Sequence, residues 1–265
     1  MVRMTALHLA CLLQLLALID ARDKDERADV FYEKEAFYLQ HPLKAAFAGG
    51  GYTDERFRFA LRPIAASLAI PKNHLVIVTH QFQPWAKKIY DTASIVALLP
   101  DFEPRTHENS DRLMMSSSQD RLSIILGGLA GDESASEYRE AVDKGWLVPD
   151  ARSFVDVPVY RKSGDVGGTD PFVALPDPAR FRSPLGHDIV IVCPPTPRQP
   201  GPSQYATGDC SVQIALPPSY FPRAAPESLG RDSGLRLRYS FNEKYLSQWP
   251  VLHQRVMDFV RGFIL

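Results

Sequence analysis

The sequence of 265 residues predicts an α+β protein: a helix-rich part over residues 1–150, then a proline-rich antiparallel β part over 151–265 closed by a C-terminal amphipathic helix. Three observations predict it. Of 22 prolines, 15 lie between Pro149 and Pro226, six come earlier and one later. Proline lacks a backbone donor and breaks helices, so the first part is free to be helical and the middle of the second is not. Leu235-Arg236-Leu237-Arg238-Tyr239 alternates cleanly, as an antiparallel strand with one wet face does. Trp249, Leu252, Val256, Phe259 and Phe263 recur at helical spacing, and Leu246, Val260 and Ile264 widen that stripe.

The elements follow in order. Ala6–Ile19 is an apolar run of 14 residues behind a single Arg3. It is too short to span a bilayer. Its length suits the apolar core of a signal peptide, but His8 and Gln14 interrupt it. The next ten residues, Asp20 to Asp29, include eight charged ones and no A-x-A site. His8-Leu9-Ala10-Cys11 places histidine where a lipobox needs an apolar residue. The run therefore reads as a buried amphipathic helix with Thr5 near its N-cap, and the chain as cytoplasmic. Val30, Phe31, Phe37, Tyr38 and Leu39 predict a second helix ending near His41-Pro42.

A third helix is predicted over Thr53–Ala69, from Phe57, Leu61, Ile64, Ala65 and Leu68. Residues 74–79 (HLVIVT) read as a buried strand, with a winged-helix hairpin or a helix end as alternatives, and Ile95–Leu99 repeats that ambiguity. Leu122–Leu126 leads into Gly127-Gly128-Leu129-Ala130-Gly131, then a helix from about Ser134 to Lys144. Ser134 and Glu137 form a capping box, and Gly145 suits the C′ position. The glycine run matches neither GxGxxG nor GxxxxGK[ST], so it reads as punctuation rather than a phosphate cradle, and the apolar run before it could equally be helical. In the second part, strands are predicted at 154–160, 172–175, 188–193, 211–216 and 235–240, with an exposed polyproline-like loop over 194–202.

Composition narrows the function. With 45% apolar and 23% charged residues and a net charge of −1, the chain is neither disordered nor built around a basic surface for nucleic acid. The three cysteines supply no disulfide framework, and none lies in a CxxC pair. No HExxH, HxH or Cys–His cluster points to a metal, and no GxSxG elbow to a serine nucleophile. The one nucleophilic pairing to weigh is Cys210 with His187, on what would be neighbouring strands. It would make a hydrolase, but Cys210 begins a strand, where nothing lowers a thiol pKa. No catalytic residue and no cofactor are therefore expected.

What remains favours a protein partner, with no membrane and with nucleic acid reached only through a complex. Arginine outnumbers lysine by 21 to 9, and arginine suits interfaces. Phe82, Trp85, Lys87 and Lys88 crowd a proline-broken loop, and Trp249 begins the last amphipathic stripe. These five are the expected protein-binding residues.

The leading helix LHLACLLQLLALI, the segment FYEKEAFYLQHPL and the later SSSQDRLSIILGGLAG…AVDKGWLVPD resemble the middle component of bacterial three-component SMC-like ABC-ATPase defence systems. The resemblance covers roughly half the chain and rests on no diagnostic residue. It implies a winged-helix-like half and a non-catalytic accessory subunit bridging an ATPase and an effector in anti-phage defence. The alternative reading is a toxin-neutralising immunity protein.

Overall fold

The computed structural model describes residues 46–49, 51–61, 64, 66–80, 89–114, 118–129, 135–154, 156–165, 170–194, 209–221 and 234–265. The helices expected at 6–19 and 30–41 lie outside them. So do Phe82, Trp85, Lys87 and Lys88.

Ten strands form one antiparallel sheet in the order β1-β4-β6-β7-β13-β12-β11-β10-β9-β8. They are β1 (Ala46–Gly49), β4 (Leu75–His80), β6 (Thr92–Leu98), β7 (Arg121–Leu129), β8 (Leu147–Pro149), β9 (Val159–Lys162), β10 (Phe172–Ala174), β11 (Ile191–Cys193), β12 (Asp209–Leu216) and β13 (Leu235–Asn242). From β8 to β13 each strand pairs with the next, as a meander. The last strand in the chain, β13, then closes against β7. Strands from both sides of residue 150 thus share one hydrogen-bonded sheet.

A second sheet of three strands has the order β3-β2-β5, from β2 (Arg56–Leu61), β3 (Ala66–Pro71) and β5 (Ile89–Tyr90). These strands replace the helix expected over Thr53–Ala69. Phe57, Phe59 and Leu61 are buried while Arg56 and Arg58 are exposed, a period of two. The helical reading used Phe57 and Leu61 but left out Phe59, which only a strand buries beside them. The chain is therefore predominantly β through its described first part, not helix-rich or winged-helix-like. Its first described helix is α1 (Ser110–Met114), of five residues.

The strands foreseen at 74–79, 122–126, 172–175, 211–216 and 235–240 form within a few residues of those limits. So does the helix foreseen at 134–144, here α2 (Ala135–Asp143). Gly145 sits at φ +70°, and the amides of Gly145 and Trp146 donate to the carbonyls of Val142 and Ala141. That is the Schellman closure a C′ glycine permits. Residues 127–129 continue β7 and form no anion-binding turn.

The main core lies between one face of the large sheet, the small sheet and α3 (Trp249–Arg261). A 3-10 turn over Glu243–Gln248 precedes α3, and the Asn242 side chain accepts from the Lys244 amide to cap it. After α3, the chain end runs beside β3: the Ala69 amide donates to the Phe263 carbonyl, and the Leu265 amide to that of Ser67. The other face of the large sheet carries two smaller clusters. Leu113 of α1 covers Val96 and Leu98. Ala135, Tyr138 and Val142 of α2 cover Val190 and Val192.

Candidate protein-binding face

The Cys210–His187 pairing does not form. Val192 opposes Ser211 and Ile191 opposes Val212, a register that sets Cys193 directly across from Cys210. The two are joined as a disulfide, with Cα atoms 4.0 Å apart. Cys210 therefore offers no thiolate, and the absence of a pairing expected of these cysteines is corrected. His187 stands exposed in the turn after Ser183.

The described residues hold no group of three or more metal-ligating side chains. A cleft of about 420 Å³ opens between Ser153, Phe154, Asp156, Val157, Ser247 and Pro250. Its single carboxylate, Asp156, is bonded to Arg180. Among the described residues lining it, no second carboxylate or histidine accompanies Asp156.

Trp249 is wholly buried. Its Nε1 donates to the Tyr239 hydroxyl at 2.9 Å, and that oxygen lies 2.8 Å from His253 Nδ1. The hydroxyl accepts from the indole, and the imidazole is its second partner. Burial pushes the His253 pKa down to about 4 and the Tyr239 hydroxyl well above its usual value. The group is sealed and neutral, a hydrogen-bonded core rather than an interface or a catalytic base. The stripe that marked Trp249 faces inward, which takes that residue off the surface a partner could reach.

A different surface carries exposed charge among the described residues. Between α1 and α2, the outer face of the large sheet is built from alternate residues of β6, β7, β13 and β12. Leu235, Leu237, Tyr239 and Phe241 point into the core, so Arg236, Arg238, Ser240 and Asn242 point out. Pairing across the strands sets these outward residues in rows. One row reads Ser211, Ser240, Ser123 and then Val96. The next reads Gln213, Arg238, Ile125 and Ser94. A third sets Ala215, which is buried, beside Arg236. Ile125 is 39% exposed although it lies in mid-strand.

Arg236 and Arg238 are exposed, and among the described residues neither makes an ion pair or side-chain hydrogen bond. Elsewhere the described arginines are mostly engaged: Arg139 with Asp188, Arg152 with Asp150, Arg112 with Asp120. At one end of the open face, burial lowers the Arg121 pKa, and Asp209 offsets part of that. The alternation of 235–239 already placed Arg236 and Arg238 on a wet face. Ile125 had no such signal, because its exposure depends on which strand lies opposite.

No protein family model matches this chain, and no curated protein does. Two solved structures match this chain at low identity. One is the iron-regulated outer membrane lipoprotein FrpD of Neisseria meningitidis, at 11% identity, 82% of this chain, 95% of that one and a TM-score of 0.46. The other is Smlt3025, an immunity protein of the Stenotrophomonas maltophilia type IV secretion system, at 13% identity, 78% of this chain, 92% of that one and a TM-score of 0.42.

Proposed function

We propose that this chain is a binding protein without chemistry of its own, which holds an acidic protein surface against the open face of its large sheet. The carrying observation is the pair Arg236 and Arg238, exposed and without an ion partner among the described residues, on rows otherwise made of Ser, Gln, Ala and Ile. A guanidinium forms two parallel bonds to a carboxylate, and arginine is enriched where proteins meet. Ile125 beside Arg238 supplies an apolar contact to be desolvated. The strands fix the backbone that carries these side chains, so the ordering cost on docking is chiefly the rotamer freedom of the two arginines. Two arginines are too few for a phosphate track, which typically draws on roughly 6–10 contacts.

A neighbouring toxin is one partner of this description, and neutralising it is the specific form of the reading. The test uses a photoreactive amino acid at Ile125, or at Val251 on α3 as an exposed control, in the full chain expressed in its own host. A discrete adduct with an acidic protein at 125, missing at 251 and lost in Arg236→Glu/Arg238→Glu, is expected. Equal adducts at both positions, or none at 125, would remove the proposal. For the toxin form, the same double variant should fail to rescue cells from the toxin encoded beside it.

A further inference from the structure

The disulfide bears on where the protein matures. Cys193 is the last residue of β11, which has only three residues, and Cys210 the second of β12. They close the base of a hairpin whose long connection holds Pro194, Pro195, Pro197, Pro200 and Pro202. Phe172 pairs with Cys193 on one side and Phe241 with Cys210 on the other. The bond thus lies inside a row Phe172–Cys193–Cys210–Phe241 on the core face. Both cysteines are wholly buried. A cross-link so placed is out of reach of soluble oxidants once the core has closed. It has to form while the chain folds, where a disulfide donor is at hand, and the cytosol keeps thiols reduced.

We propose that the chain folds in a thiol-oxidising compartment outside the cytosol, where a dithiol oxidase in its disulfide form transfers its bond to Cys193 and Cys210. One cysteine thiolate attacks a donor sulfur, giving a mixed disulfide and freeing one donor thiolate. The second thiolate then attacks the chain's sulfur in that mixed disulfide. The Cys193–Cys210 bond forms and the remaining donor thiolate leaves. Two electrons pass from the chain to the donor, and the two thiol protons reappear on the donor dithiol. The sequence also carries a route: the apolar run Ala6–Ile19 has the length of an export leader's core. On this proposal the cytoplasmic reading of that run is given up.

The test expresses the natural full-length sequence in two bacterial strains, one with and one without its extracytosolic dithiol oxidase. Thiols are trapped in acid, and the denatured chain is labelled with a maleimide polymer before and after reduction. Cys193→Ala/Cys210→Ala marks the mobility of a chain lacking both groups. In the parent strain, two further labels are expected to appear only after reduction. In the oxidase-deficient strain, both are expected beforehand. Full labelling of Cys193 and Cys210 before reduction in the parent overturns the proposal. So does an oxidised chain in equal amount in both strains, because the bond would then not depend on that compartment.

Discussion

His253 is a base that the fold keeps from taking a proton. Its Nδ1 lies 2.8 Å from the Tyr239 hydroxyl, which accepts from the Trp249 indole. Protonation would place a charge in a site closed to water. Burial holds the folded pKa at about 4, against 6.5 for the free side chain. Between those values the unfolded chain binds the proton and the folded chain does not. The stabilising difference is complete above pH 6.5 and is lost as pH falls towards 4, by roughly 3 kcal/mol for this one group. Burial also lowers the His74 pKa, in the same direction. Urea midpoints measured from pH 7.5 to 4.5 should therefore fall, and His253→Gln should flatten that slope. An unchanged slope in the variant would mean that other groups carry it.

Gly127 shows a second residue-scale constraint. It sits within β7 at φ +126°, and a Cβ there would lie 2.0 Å from the Asp91 carbonyl oxygen. Neither strain nor clash can be relieved without moving β6. Gly127→Ala should cost at least about 2 kcal/mol, read as a lowered thermal or urea midpoint. The sequence marked Gly127 only as part of a glycine cluster. The need for it comes from Thr92, the residue opposite in β6.

At the scale of elements, the short strands of the second meander rely on their neighbours. β11 contributes few ladder bonds, and the disulfide fixes its register against β12. Breaking a cross-link that spans 17 residues should cost about 3 kcal/mol, chiefly by freeing the unfolded chain. Comparing midpoints of the oxidised and reduced forms at one pH checks this; equal midpoints would show that the strands alone set the register. Elements with a strong local period were legible: α3 from its stripe, β13 from its alternation, α2 from its cap and C′ glycine. The helix expected at 53–69 failed because Phe57, Leu61, Ile64 and Leu68 also satisfy a helical period. Two strands joined by a turn at Ile64 bury the same residues and Phe59 as well.

Across the whole molecule, Asp120 ties distant parts together. Its carboxylate accepts from Lys244 Nζ at 2.6 Å, from the Tyr245 hydroxyl at 2.8 Å and from Arg112 at 3.1 Å. These bonds hold the carboxyl below its ordinary pKa, and burial, with the bond to Asp120, pushes Tyr245 up to about 12. The group is partly exposed, so Asp120→Asn should cost only about 1 kcal/mol. That cost should shrink in 1 M salt, where the screening length is about 3 Å. The open face predicts the opposite pattern. Arg236→Glu/Arg238→Glu should leave the unfolding midpoint within about 0.5 kcal/mol of the parent while abolishing the adduct at position 125. A large fall in stability would place those arginines in the fold rather than in binding.

By itself the sequence determined the closing helix, the alternation of β13 and the β character of the proline-rich part. Each is written in the spacing of residues close together in the chain. Only the tertiary structure decided the pairing of Cys193 with Cys210, the inward turn of Trp249, the strands at 56–71 and the rows that set Arg236 and Arg238 beside Ile125. Those depend on which strand lies beside which, a relation between segments up to more than a hundred residues apart that no local period encodes.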